Sequence, residues 1–235
     1  MGSSRTNRSP KGASSARAKL AELRQRANED DPEALLELGI HLRDGLAGLI
    51  RADHRAALLR FRRAAELGNL DAMAGLAALI TSRAVGRSPR ARRLATLEAM
   101  RWERSAAARG NEVARYNLAV SMQSIGMHRD AVRWFRRVAG TGIHEAQLDL
   151  AKAELLGTGT RRNVASALKR LQLVAARRSN VSQFDREAAM LALAQVHLDG
   201  WLVPRNHAAG VKWLRRAAKM GSNAAAGLLV DLDEE

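Results

Sequence analysis

One phrase recurs along this chain and narrows what the chain can fold into. Its cleanest copy is Trp213-Leu214-Arg215-Arg216-Ala217-Ala218-Lys219-Met220-Gly221. It returns as Arg60-Phe61-Arg62-Arg63-Ala64-Ala65 up to Gly68 and as Trp134-Phe135-Arg136-Arg137-Val138-Ala139 up to Gly142, and more loosely from Trp102 through Ala106-Ala107 to Gly110. The bulky residue sits seven or eight places before the glycine and the small pair four and three places before it. Such spacing puts the large side chain and the small pair on one helical face, and the glycine supplies the left-handed residue that closes the last turn.

A second row alternates with the first. Ala34 and Leu38 begin it, and it continues as Ala72-Leu76-Ala77, Ala114-Leu118-Ala119, Ala146-Leu150-Ala151, Ala189-Leu193-Ala194 and Ala224-Leu228-Leu229. The first alanines lie 38, 42, 32, 43 and 35 residues apart, a period that marks helical-hairpin repeats. Each unit then has a helix A with the Ala-Leu row and a helix B ending in the glycine phrase. Gly39, Ala77, Ala119, Ala151 and Ala194 share the slot after the leucine, where a small residue lets another backbone approach. The units read as about 31–69, 70–111, 112–143, 144–185 and 186–222, followed by a terminal capping helix at 223–232.

Before the first unit, Leu20, Leu23 and Ala27 predict a helix over 15–28, with Leu23 and Ala27 falling where Phe61 and Ala65 fall. Asp31 is its successor's predicted N-cap, with Pro32 in the first turn. Residues 1–14 are polar, basic and aperiodic and read as a disordered tail, so 15–235 is expected to form a single solenoid. The link between helices varies most: it is expanded through Arg83–Arg93 in the second unit and nearly absent around Gly126 in the third.

Composition agrees with helices throughout: 46% of residues are apolar and only 3% aromatic, so burial rests on Ala, Leu, Val and Met. There is no cysteine, which removes disulfides and thiolate metal sites. No apolar window reaches the eighteen or so residues of a membrane span, and no apolar leader segment opens the chain. A cytoplasmic location is expected, with export or membrane targeting through the basic N-terminus as the other reading. The net charge of +15 favours anionic neighbours without choosing among them.

The pattern Ala-x-x-x-Leu-Gly-x-x-Tyr-x-x-Gly-x-Gly-Val-x-x-Asp-x-x-x-Ala-x-x-Trp-Tyr-x-x-Ala-Ala-x-x-Gly resembles the SEL-one-like repeat (SLR) family, relatives of the tetratricopeptide repeats. The first unit carries it at Ala34, Leu38, Gly39, Gly45, Asp53, Ala57, Phe61, Ala64, Ala65 and Gly68. The fifth carries it at Ala189, Leu193, Gly200, Val203, Trp213, Ala217, Ala218 and Gly221, with His197 in the tyrosine slot and Asn206 in the aspartate slot. The third matches at Ala114, Leu118, Ala131, Trp134, Phe135, Ala139 and Gly142. Departures include Leu171 for the aromatic and Arg178 for the closing glycine of the fourth unit. Ala72, Trp102, Gly110 and Ala146 complete the structural repeat positions. The resemblance implies an all-α, right-handed α-α superhelix of about five hairpins with an N-terminal capping helix and helices A on the concave side. It also implies a bacterial scaffold or adaptor that binds a partner protein or peptide in secretion, regulation or toxin immunity.

No catalytic, metal or cofactor site is expected. The six histidines lack the i, i+4 spacing of a zinc helix, and Gly157-Thr158-Gly159-Thr160 lacks the Gly-Lys-Ser/Thr of a phosphate loop. No nucleophile elbow is present. Counting equal offsets from the first alanine of each helix A gives the expected partner-binding face. These residues are Glu37, Ile40 and Arg43, then Tyr116, Asn117, Val120 and Gln123, then Asp149, Lys152 and Leu155, and last Ala192, Gln195 and Leu198. The alternative is a basic protein that meets nucleic acid or anionic lipid through the arginine pairs 62–63, 136–137 and 215–216, the Arg83–Arg93 segment and the tail.

Overall fold

A computed structural model describes residues 10–176, 181–200 and 202–233, with side chains from Ser15 to Leu232. Among the described residues there are twelve helices and no strand. A lead helix, α1 (Pro10–Asn28), is followed by five hairpins: α2 (Pro32–Asp44) with α3 (His54–Glu66), α4 (Leu70–Ser82) with α5 (Pro89–Ala108), α6 (Glu112–Ser124) with α7 (His128–Val138), α8 (His144–Leu156) with α9 (Val164–Ala176), and α10 (Gln183–Asp199) with α11 (His207–Lys219). The last helix is α12 (Asn223–Asp233). The fold is an all-α solenoid array of helical hairpins. It divides into two compact units, Met1–Asn117 and Leu118–Glu235, and the division falls inside α6.

Within each unit every helix packs on its neighbours in sequence: α1 on α2, α2 on α3, α3 on α4 and α4 on α5 in the first, and α7 through α12 likewise in the second. In the second unit α8 also touches α10, so helices A stand side by side. The packing explains the small residues. A Cβ on Gly39 would lie 2.8 Å from the Phe61 ring, closer than any carbon tolerates. Phe61, Phe135, Leu171 and Leu214, each seven residues before its closing position, are at most 1% exposed. Each contributes about 2–3 kcal/mol by burial.

The hairpin turns are pinned by one recurring device. Asp53 caps α3, accepting from the Arg55 and Ala56 amides at 2.9 and 3.0 Å, while its own N–H donates to Leu42 O at 2.6 Å. Asn163 and Asn206 do the same for α9 and α11, closing on Glu154 O and His197 O at 2.8 Å each. Asp31 caps α2 as the Asp-Pro pair predicts, at 2.9 and 3.3 Å. The lead helix follows the register of a helix B: Leu23 and Ala27 are buried, and Asp30, in the closing-glycine slot, has φ +61°.

Several expectations change. Helix α1 begins at Pro10, five residues ahead of Ser15, so 10–14 is helical; the rest of the expected tail, 1–9, lies outside the described residues. The Arg83–Arg93 segment is a turn only as far as Ser88; 89–93 is already the start of α5, because Ser88 caps that helix, accepting from Ala91 N at 3.3 Å, and Pro89 fits the first turn. Helix α10 starts at Gln183, capped by Ser182, three residues before the expected boundary; Arg178 lies outside the described residues. Trp102, Trp134 and Trp213 do not fill the deep slot that Phe61 fills. They are half-buried, and the slot goes to their successors Glu103, Phe135 and Leu214. In the last helix the first alanine is Ala225, 0% exposed, whereas Ala224 faces solvent.

Candidate partner-binding groove

In the second unit the inner faces of α8, α10 and α12 border an open groove of about 730 Å³. Helix α8 gives Lys152, Leu155 and Leu156; α10 gives Leu191, Ala192, Gln195, Leu198 and Asp199; α12 gives Leu228, Asp231 and Leu232. Leu202 and Arg205 reach in from the α10–α11 turn, and Leu214 forms part of the floor. Half of the lining is leucine. Leu156 and Leu228, 58% and 46% exposed, are the accessible apolar surface a partner side chain would cover.

The rim carries both signs. Lys152 stands 3.6 Å from Asp149, which is half-buried, and Gln195 Nε2 donates to Asp199 at 3.1 Å. Arg205 and Asp231 complete the rim, so a peptide backbone or a charged side chain finds both donors and acceptors there.

The structure thus brings Lys152, Leu155, Ala192, Gln195 and Leu198 to one cavity, with Asp149 beside Lys152. It does not gather the other expected residues there. In the first unit Glu37 and Ile40 are exposed on α2, and Glu37 lies 3.7 Å from His41 Nε2. Arg43 is held by Asp44 through two bonds of 2.7 Å, which raise the guanidinium's pKa and hold the carboxylate below its usual range. On α6, Tyr116 and Asn117 belong to the first unit and Val120 and Gln123 to the second; Val120 is exposed and the other three half-buried. Sequence reasoning missed Leu191, Leu202, Arg205 and the α12 residues. For Leu228 and Asp231 the signal was present: they sit three and six places after Ala225, the offsets of Ala192 and Gln195 from Ala189.

The arginine pairs of the B helices are largely engaged. Arg62 bonds Glu98 at 3.2 Å, Arg63 Nε bonds Asp30 at 2.8 Å and Arg136 bonds Thr160 at 2.8 Å. Arg137 and Arg216 lie over Trp134 and Trp213, 5.0 and 4.7 Å from the ring centres. Among the described residues no cluster of three histidine or acidic side chains is placed to hold a metal, and no helix is long and apolar enough to cross a membrane.

The Sel1 repeat model matches residues 32–69, 144–169 and 187–222. Among solved structures the chain is similar to a protective antigen of uropathogenic Escherichia coli strains that displays an SLR fold, with 25% identity and a TM-score of 0.70. That likeness covers 90% of this chain and 43% of the antigen, so the chain spans less than half of that relative's length. A Sel1 repeat protein from Oxalobacter formigenes matches at 22% identity and TM-score 0.64, over 83% of this chain and 74% of that one. An immunity protein from Pseudomonas aeruginosa shares the fold at 16% identity and TM-score 0.51, over 86% and 73%. No curated protein matches the chain in sequence.

Proposed function

Because the chain belongs to the Sel1-repeat family, a family of non-catalytic protein-interaction scaffolds, we propose that it acts as an adaptor holding a peptide segment of a partner protein in the α8–α10–α12 groove. The observation that carries this reading is the convergence of leucines from three successive helices A, exposed on α8 and α12 and half-buried on α10, on one cavity with a rim of mixed charge. Apolar anchors in a groove supply affinity, and the polar rim fixes direction and register. Secretion, envelope regulation and toxin immunity are the settings in which such an adaptor would serve. The reading requires no metal or cofactor.

Selection of peptides on the full-length chain from a random display library tests it. Selected peptides are expected to bind the wild type and an Arg215→Gln control equally. They should lose at least about tenfold, roughly 1.4 kcal/mol, against Gln195→Arg/Leu228→Arg, with the helical melt unchanged. Equal binding by the groove variant refutes the assignment.

A further inference from the structure

Helix α5 turns a row of cations and leucines outward. Steps of three and four residues return to one helical face. From Arg90 those steps meet Arg93 and Leu94, then Leu97, then Arg101 and Arg104, all exposed. Leu94 is 59% and Leu97 42% exposed. At 1.5 Å per residue the row runs for about 21 Å. It contains no acidic residue. Glu98 lies on its flank, bonded to Arg62 at 3.2 Å, and Glu103 is on the opposite face, 2% exposed. That opposite face also buries Ala99, Met100, Ala106 and Ala107, so α5 is already fully seated and the row is not needed for its own core.

The α4–α5 turn extends this surface. A cleft of about 200 Å³ opens there, lined by Arg62, Arg83 and Arg87 with the α5 residues Ala91, Ala95 and Glu98. Arg83 and Arg87 are exposed, and between them Val85 is 78% exposed. The same edge therefore carries cations, a small cleft bordered by arginine, and apolar side chains held in water.

We propose that this edge of the first unit docks on an anionic phospholipid surface, with α5 lying along the interface. The arginines sit among headgroup phosphates while Leu94 and Leu97 dip beneath them, and the cleft admits one phosphate beside Arg83 and Arg87. Charge complementarity supports the occupant: the chain carries 39 basic against 24 acidic residues, and this row has only the basic sign. The leucines decide between polyanions. A face that tracks nucleic-acid phosphates gains nothing from apolar side chains at its centre. Base stacking needs aromatics, and Trp102 sits off the row and half-buried. A lipid interface uses both residue types at once. With only a few apolar side chains involved, attachment is mainly electrostatic and reversible.

The test is co-sedimentation of the full-length chain with vesicles of phosphatidylglycerol and phosphatidylcholine, against phosphatidylcholine alone, alongside anisotropy with a short single-stranded RNA. Sedimentation is expected only with the anionic vesicles and should fade as salt rises. Arg90→Gln/Arg93→Gln should weaken it about 30-fold, as two cations near an anionic surface are worth. Leu94→Ser/Leu97→Ser should weaken it several-fold, and Arg215→Gln should leave it unchanged, all with wild-type helical melts. Sedimentation that is the same in all variants overturns the proposal. So does RNA binding that the Arg90/Arg93 variant abolishes while wild-type protein ignores the vesicles.

Discussion

Asn69 ties one repeat to the one before it: its Oδ1 accepts the Ala72 amide at 2.8 Å, and its Nδ2 donates to Glu33 at 2.7 Å. Asn111 repeats the arrangement with the Ala114 amide at 2.8 Å and Asp71 at 2.7 Å. In the second unit Ser222 accepts from Ala225 N at 3.1 Å and donates to Glu187 at 2.5 Å. One side chain thus starts a helix A and braces it to a carboxylate near the start of the preceding helix A. At the equivalent place before α8, Ile143 makes no capping bond.

Removing that side chain should cost more than a helix cap alone. Asn69→Ala is expected to lower stability by about 1–2 kcal/mol, combining a cap of about 1 kcal/mol with a modest exposed bond to a carboxylate. Asn69→Asp restores the cap oxygen but sets a carboxylate against Glu33, so its urea midpoint should fall between the other two. A midpoint equal to that of Asn69→Ala would mean that the cap oxygen gains no more than the repulsion from Glu33 costs.

The repeat was legible because backbone proximity dictates residue size. Gly39, Ala77, Ala151 and Ala194 recur since each faces a packed helix, and a period of small residues survives in sequence. The tie between Asn69 and Glu33 was not legible, because it joins residues 36 apart through a bond that any of several polar types can make. Register was the weakest point. Asn223-Ala224-Ala225-Ala226 offers three alanines in a row, and only burial selects Ala225. The groove was half visible for the same reason: the offsets counted from Ala189 fall on α10 residues that line the cavity, whereas the expected face stopped short of the last helix, where the same offsets from Ala225 reach Leu228 and Asp231.

Acid should loosen the first unit through its capping and arginine-paired carboxylates. Hydrogen bonding to Arg26, reinforced by the Ala34 amide, holds Asp31 below its ordinary pKa; Arg63 does so for Asp30, and the Ala56 amide for Asp53. Folded-state values below the unfolded ones mean that the unfolded chain binds more protons. Their stabilisation is therefore complete above about pH 4 and disappears as pH falls through the lower native values. The melting temperature should be flat from about pH 7 to 5 and drop below about 4. Asp53→Asn keeps a capping oxygen of equal quality and cannot be protonated, so its acid slope should be shallower. An unchanged slope would remove Asp53 from the account.

Gly39 should not accept alanine despite lying in mid-helix. Alanine normally gains about 1 kcal/mol over glycine there. The added Cβ, however, would stand 2.8 Å from two carbons of the Phe61 ring, and overpacking costs about 1–3 kcal/mol. A net loss of up to about 2 kcal/mol is expected by urea denaturation. Phe61→Leu, which vacates that space, should make the Gly39→Ala change less costly than it is in the wild type. Additive losses in the double variant would mean the two side chains do not meet.

Gly210 connects packing to the groove in the same way, and it does so without touching the groove's surface. It is buried on α11, and a Cβ there would lie 2.5 Å from Leu198 Cγ and 3.3 Å from Ala194 O. Leu198 lines the cavity, so the carbonyl behind the new methyl leaves the leucine as the group that moves, toward the groove. Gly210→Ala should lower stability by at most about 2 kcal/mol, the helix gain offsetting part of the strain. It should also weaken a groove-selected peptide about tenfold. Adding Leu198→Ala relieves the clash, so the double variant should recover stability relative to Gly210→Ala while still binding the peptide poorly, because an apolar anchor of the groove is gone. Peptide affinity that ignores both changes would place the contact elsewhere on the molecule.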